Sequence, residues 1–425
     1  MKRTALALAL GGLFIAPAAQ AQHSVASTFD AKLGGYVQLN TTWDSDENDD
    51  DNPSSMRKSA IKPGDPGQNQ RTLRWTDTRT RLFLDVRGSE LWGAKTRAYT
   101  EMDFDGLKLD ETKGTTSASN ANTPRLRRAY MRFDWTNTWA LLGQQTLLFY
   151  DAVSPFGTTY IEGVASGRGG MTGGSRNRAP AFFAGHRLHF GGSTLEVIGS
   201  LARHTTDNEP AGGINDSGTR AERPAYETMV KYSMPLFGRE ALAAVSTYWG
   251  EEKLNNGAAT AAALRTQKLR SVGTGLQGAL PLGPVTPIGA FEVRGSWFRA
   301  TNMSKWNLGS NASTANSTFS NIGLIQPVHA HGGWAEVNWQ ITPKYGLALG
   351  GGRARDDRED VRAIGGAPVK IVDNQGYWLM GTWQDGPWGF MAAISNVDTM
   401  WVQPNNNAET RNDSQEIHFV FRYSF

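Results

Sequence analysis

The sequence predicts a single all-β domain, a transmembrane antiparallel β-barrel of sixteen strands. Three observations predict it. First, the segment Gln415–Phe425 reads QEIHFVFRYSF. Ile417, Phe419, Phe421, Tyr423 and Phe425 alternate with His418, Val420, Arg422 and Ser424, so apolar and polar sets fall on opposite faces of one strand. Second, long polar stretches at about 44–74, 106–124, 151–180, 204–224, 251–268, 301–328, 356–374 and 399–414 alternate strictly with short turns. Eight long and seven short connections join sixteen strands, an even number with both chain ends on the short-turn side. Third, no stretch reaches the roughly 18 apolar residues of a membrane helix. The mean hydropathy of −0.44 suits a wall in which lipid-facing and water-facing residues interleave.

Taken in order, the chain opens with Lys2 and Arg3, an apolar run from Thr4 to Ala16, and small residues at Ala19 and Ala21. This is the layout of a signal peptide, expected to span 1–21, with the barrel occupying 22–425. A net charge of +3 falls to +1 once Lys2 and Arg3 leave, so no nucleic-acid partner is expected. The chain has no cysteine and therefore no disulfide framework; stability must come from closed strand pairing. The short lead from Gln22 to Lys32 has no heptad pattern. The first strand sets Gly35, Val37, Leu39 and Thr41 against Tyr36, Gln38, Asn40 and Thr42, and Trp43 closes it.

The second strand is expected over Thr78–Arg87, with Arg79, Arg81, Phe83, Asp85 and Arg87 on one face. After the turn Gly88–Gly93, the third sets Arg97, Tyr99, Glu101, Asp103 and Asp105 against Ala98, Thr100, Met102 and Phe104. The fourth is read with Leu126, Arg128, Tyr130, Arg132 and Asp134 on one face. A lipid-facing arginine near mid-bilayer costs roughly 2–4 kcal/mol, so Arg79, Arg81, Arg97, Arg128 and Arg132 should point into the lumen. Later strands extend the polar lining with Glu227 beside Lys231, Glu292 beside Arg294, and Glu336. Trp92, Trp135, Trp139 and Trp388 flank short turns, and Trp43, Trp75, Trp249 and Trp401 lie near long loops. These are the two depths at which interfacial girdles form.

No catalytic signature is present: there is no Gly-x-Ser-x-Gly elbow, His-Glu-x-x-His or Gly-x-x-x-x-Gly-Lys loop. No enzyme activity, cofactor or metal site is expected. His329 and His331 share a strand face and read as plain lumen or loop histidines. The acidic run DSDENDDDN, Asp44–Asn52, reads as a solvated loop, with divalent bridging to surface phosphates as the other possibility. The third long loop is rich in glycine and carries Asp151 and Glu162 with Arg168, Arg176 and Arg178. Rings of arginine favour anions, so the residues point to permeation of small hydrophilic, preferably anionic, solutes. A barrel that merely anchors extracellular loops for surface binding is the other class of function open to such a chain.

Two resemblances add to this reading. The C-terminal strand resembles the assembly signal of bacterial outer-membrane barrels. The stretch TPRLRRAYMRF, then LLGQQTLLFYDAVSP, then the Gly- and Arg-rich loop, is similar to the DcaP-like porins of Gram-negative bacteria. That resemblance implies a trimeric sixteen-stranded outer-membrane barrel for dicarboxylates and aromatic acids, embedded in lipid and lipopolysaccharide. It implies that loop 151–180 folds into the pore, and that Gly143, Gln144, Asp151, Pro155 and Arg168 connect wall to loop. The N-terminal coiled coil of some members is missing here.

Overall fold

The computed structural model describes residues 29–46, 60–65, 67–105, 123–149, 151–155, 177–204, 221–255, 266–303, 327–363, 370–402 and 408–425. Almost all of them lie in one antiparallel sheet that closes on itself as a sixteen-stranded barrel. In chain order the strands are β1 (Asp30–Asp44), β2 (two segments, Thr72–Thr76 and Arg81–Arg87), β3 (Lys95–Asp103), β4 (Arg125–Asp134), β5 (Thr138–Thr146), β6 (Arg178–Phe190), β7 (Ser193–Ala202) and β8 (Ala225–Leu236). They continue with β9 (Arg239–Asn255), β10 (Thr266–Pro281), β11 (Ala290–Thr301), β12 (His329–Gln340), β13 (Tyr345–Asp356), β14 (Lys370–Asp385), β15 (Trp388–Val402) and β16 (Glu409–Ser424). Among the described residues one short helix, α1 (Arg358–Ala363), follows β13. Asp357 caps it by accepting the N–H groups of Glu359 and Asp360.

Closure is made by β1 and β16, in register from Tyr36 opposite Ser424 to Asp44 opposite Glu416. Gly35 and Phe425 then exchange main-chain bonds of 3.1 and 3.0 Å. No strand edge is left open in that seam, the condition for a sheet in hydrocarbon. The expected alternation holds. Phe421 is 56% exposed, whereas His418 and Val420 are fully buried. Leu33, Met131, Val197, Leu276, Val337, Leu349 and Tyr377 are likewise exposed on the outer face. In water such a continuous apolar band would be an association surface; in a bilayer it is the lipid face.

The structure departs from the sequence reading at five places. The second strand is interrupted: both segments pair with β1, and Asp77–Thr80 turns between them, with the Thr80 N–H bonded to the Asp77 carbonyl at 2.8 Å. Arg79 therefore leaves the ladder, yet stays buried, 3.3 Å from Asp105. On β4 the register against β3 slips from Glu101–Arg128 to Met102–Leu126. Arg127 is the extra residue of a β-bulge. Leu126 thus faces lipid, half exposed, and Arg127 turns inward; Leu126 does not share the face of Arg128. Trp92, Trp135, Trp75 and Trp388 are exposed at strand ends as girdle residues, but Trp139 and Trp401 are buried. Several strands run further than their alternation alone indicates, β9 to Asn255, β15 to Val402, and β16 from Glu409. Finally, His329 and His331 lie on the outer face, where the His329 ring meets Asp360 at 2.7 Å. Of the acidic run, Asp44 pairs with Arg74, and Asp46 accepts from Asn69 and Ser414. Residues 47–52 lie outside the described residues.

Candidate functional site: the lumen wall and the root of the third long loop

The inward face of β2, β3 and β4 is a wall of interleaved arginines and carboxylates. Arg97 is bidentate to Asp85, with Nε and Nη2 at 2.7 and 2.9 Å. Arg125 is bidentate to Asp103 at 3.0 and 2.8 Å. Arg127 donates to Glu101 at 2.9 Å and also to Asp103. Arg81 stands 3.5 Å from Glu101, and Arg132 pairs with Asp134 at 2.7 Å. Arg128 differs: it donates to the Thr146 hydroxyl at 3.2 Å and pairs with no carboxylate among the described residues. Guanidiniums are held here as a planar fork lattice, which fixes their direction as well as their charge.

Aromatic rings interleave with this lattice. Phe83 stacks on Tyr99 at 5.9 Å, and Tyr99 on Tyr130 at 5.4 Å. Arg81 and Arg422 lie over the Tyr36 ring at 5.3 and 4.2 Å, and Arg97 over Tyr99 at 5.2 Å. Each contact spreads guanidinium charge over a π face and leaves its edge nitrogens for another partner. Arg422 also donates to the Gln38 side chain.

Removing one member of a buried lattice leaves charges without compensation. Arg127 is only 3% exposed. Arg127→Leu is expected to cost about 3 kcal/mol, the low end for a broken buried pair, because Arg125 and Arg81 still face its carboxylates. The guanidinium-chloride unfolding midpoint of detergent-refolded protein should drop accordingly. An unchanged midpoint would show that Arg127 carries no structural charge.

The opposite half of the lumen is packed. Phe183, Ile198, Met229, Tyr248 and Phe298 form an inward apolar cluster with Leu147 and Phe149, the first residues after β5. A second cluster joins Trp334, Trp378, Met380, Met391 and Val420 from β12, β14, β15 and β16, and Val153 packs on it. The chain after β5 therefore crosses the inside of the barrel. Side chains of the wall hold its backbone. Glu227 on β8 accepts the N–H groups of Leu148 and Phe149 at 3.0 and 3.2 Å, and the Ser200 hydroxyl at 2.6 Å. Gln277 on β10 accepts the Ala152 N–H at 2.8 Å and donates to the Val153 carbonyl at 3.0 Å. The Phe149 ring rests on Gly273, where a Cβ would come within 2.5 Å of it.

One device occurs twice on the inner wall. Trp139 lies over Gly185 of the next strand and donates its indole N–H to Glu196 at 2.9 Å. Trp378 lies over Gly350 and donates to Glu336 at 2.6 Å. In each case a glycine makes room for the ring, and a buried carboxylate satisfies the indole. Glu196 is also bridged by Arg187 and Lys231, both at 2.8 Å, so Lys231 belongs to Glu196 and not to Glu227. Glu292 pairs with Arg294 as its position predicts, and with Arg239.

Of the residues singled out by sequence, Arg79, Arg81, Arg97, Arg128 and Arg132 come together on one wall. Asp151 and Pro155 lie in the loop root, and Arg178 opens β6. Glu162, Arg168 and Arg176 lie outside the described residues. Sequence reasoning missed Arg125 and Arg127, the Tyr36–Tyr99–Tyr130 set, and the role of Gln277. The first pair had a signal: Leu126 is the one apolar residue in Arg125–Arg128, so two arginines must flank a residue that belongs to lipid.

No protein-family model and no curated protein sequence matches the chain. Solved structures do. The outer membrane channel DcaP of Acinetobacter baumannii superposes with a TM-score of 0.65 at 16% identity, covering 95% of this chain and 99% of that one. An anion-selective porin from Comamonas acidovorans gives 0.55 at 11% identity, over 93% and 100%. The trimer form of OmpT, an outer membrane protein of Vibrio cholerae, gives 0.53 at 10%, over 94% and 100%. The chain thus has the fold of the sixteen-stranded outer-membrane channels. Its residue-level properties rest on its own side chains.

Proposed function

We propose that this protein is an outer-membrane porin, through which small hydrophilic solutes diffuse passively with a preference for anions such as carboxylates. The observation that carries the reading is the charge balance of the β2–β4 wall with its β16 neighbour. Among the described residues, ten guanidiniums (Arg74, Arg79, Arg81, Arg87, Arg97, Arg125, Arg127, Arg128, Arg132 and Arg422) stand among six carboxylates (Asp85, Glu101, Asp103, Asp105, Asp134 and Glu416), and Arg74 pairs with a seventh, Asp44 of β1. A positive surplus on one low-dielectric wall raises the local anion concentration, and guanidinium edges match carboxylates bidentately. Residues 147–149 and 151–154, held inside the barrel by Glu227, Gln277 and the apolar clusters, narrow the passage beside that wall. In this reading residues 1–21 are a removed signal peptide, and loop 151–180 continues into the pore with Asp151, Glu162, Arg168, Arg176 and Arg178 at the constriction. The barrel assembles as a homotrimer in lipid and lipopolysaccharide.

A planar bilayer under a KCl gradient tests it. Stepwise openings are expected, with a reversal potential on the anion side. Arg128→Ala should lower the chloride-to-potassium permeability ratio roughly two-fold, because it removes the cation least neutralised by the wall. Cation selectivity in the wild type would discard the arginine argument and keep the fold. Silence from folded protein would favour the surface-anchor reading.

A further inference from the structure

The first long loop also turns into the barrel, on the flank opposite the third. Register sets Asn374, Thr399 and Asn412 side by side across β14, β15 and β16. They share the parity of inward Trp378, Val397 and Val420, so the row lies on the inner face, toward the long-loop end. Thr399 is fully buried and donates its hydroxyl to the Asn374 side-chain oxygen at 2.7 Å. The same hydroxyl accepts the Ala60 N–H at 2.8 Å, and the Asn412 amide donates to the Ile61 carbonyl at 2.9 Å. Wall side chains thus stand in for a partner strand, gripping a main-chain donor and a main-chain acceptor of consecutive residues. Ala60 is only 4% exposed beneath them.

The segment is fixed at its far end as well. The Asn69 N–H bonds to the Asp46 carboxylate at 2.7 Å. Asp46 is itself buried and accepts the Ser414 and Ser45 hydroxyls at 2.6 and 2.9 Å. Asn69 has a φ of +61°, which asparagine tolerates better than most residues. Between the anchors, main-chain bonds of 3.2, 3.0 and 3.2 Å close turns from Lys62 to Asp65, Asp65 to Gln68 and Gly67 to Gln70. The Gln68 side chain accepts the Gly64 N–H at 2.8 Å. A run of turns pinned at both ends is a strap. Its footing on β14–β16 and β1 lies across the ring from β8 and β10, which hold the root of the third loop.

We propose that residues 60–65 and 67–71 form a second constriction, an inward strap at the long-loop mouth that sets the size limit for solutes ahead of the narrowing by the third loop. Thr399 and Asn412 are its positioning residues. The pins are an amide and a hydroxyl, and Lys62 has Asp65 within 3.9 Å. The strap therefore discriminates by size, and selection by charge stays with the β2–β4 wall. Its filtering role rests on the porin reading above, whereas its inward position does not depend on conduction.

The chain has no cysteine, so single cysteines report the strap directly. In the refolded barrel, Ala60→Cys should react with a water-soluble maleimide about tenfold more slowly than Asp65→Cys, whose side chain is half exposed. Adding Thr399→Val and Asn412→Ala removes both pins and should bring the two rates within about two-fold of each other. Thr399→Val alone, which keeps the shape of the side chain and loses its bonds, should give an intermediate rate. In liposomes, the Thr399→Val/Asn412→Ala protein without added cysteine should swell roughly three-fold faster in raffinose, relative to arabinose, than wild type does. All variants should keep the heat-modifiable gel mobility of a folded barrel. Equal labelling of Ala60→Cys and Asp65→Cys in the otherwise unchanged chain overturns the strap, and so does undiminished protection of Ala60→Cys once both pins are gone. Labelling that is released while the raffinose-to-arabinose ratio stays constant overturns the filtering role. Protein that admits neither sugar, yet keeps the expected labelling pattern, overturns the porin reading and leaves the strap standing.

Discussion

Gly143→Val is expected to abolish the folded barrel. Gly143 sits in β5 opposite Tyr130, with φ of +131°, a conformation that L side chains rarely adopt. A Cβ there would lie 2.2 Å from the Ala129 carbonyl oxygen and 2.7 Å from the Tyr130 Cα, both main-chain atoms of β4. Neither can move without opening the β4–β5 ladder, and in lipid an opened ladder leaves polar groups without partners. Gly191 is the control. Its φ of +60° is also positive, but nothing lies within 4 Å of its would-be Cβ. Gly191→Ala should cost about 1 kcal/mol and still refold. Heat-modifiable gel mobility after refolding from urea reads both. Wild-type refolding yield of Gly143→Val would show that β4 and β5 do not approach as described.

Glu227→Ala is expected to unpin the third long loop and raise single-channel conductance and open-state noise. Glu227 is only 2% exposed, and three donors converge on it. Two are consecutive main-chain N–H groups, a small anion-binding concavity. Removing the carboxylate strands those donors at roughly 1–3 kcal/mol each. Glu227→Gln keeps one acceptor oxygen and brings in an amide that faces donors, so its traces should fall between wild type and Glu227→Ala. Conductance noise is the discriminating measurement, since a purely structural loss would reduce the yield of folded channels and leave each channel unchanged. Identical noise in all three proteins would assign the loop's position to Gln277 and to the packing of Phe149 and Val153.

The barrel was legible because its signals are local. Alternation in Gln415–Phe425 and the contrast between long and short connections depend on neighbours in sequence. The cost of arginine in lipid then orients whole strands. What failed was parity and long-range pairing. The segment Arg125–Arg132 can be read as regular alternation on either side of Arg127, and only the ladder with β3 shows where the extra residue falls. Trp139 is chemically suited to an interface or to the lumen. The choice is made by Gly185 and Glu196, which lie 46 and 57 residues away and leave no mark near Trp139. By sequence Glu227 falls beside Lys231, because they share a strand face. Its real partners, Leu148 and Phe149, are almost eighty residues upstream. Alternation puts Arg79 on a strand that the turn at Asp77–Thr80 interrupts, yet its burial follows all the same, because a cation must leave lipid whichever local geometry carries it.

The bulge at Arg127 also constrains how this gene can recombine. It splits β4 into two stretches of opposite parity, so that odd-numbered positions face inward before it and even-numbered ones after it. A segment exchanged with another barrel at a crossover inside β4 must carry the extra residue with it. Otherwise every side chain beyond the junction is turned inside out, with arginines in lipid and leucines in water. Crossovers in the connections at 106–122 or at Thr136–Asn137 avoid that reversal. Chimeras joined there should remain viable where chimeras joined within β4 do not.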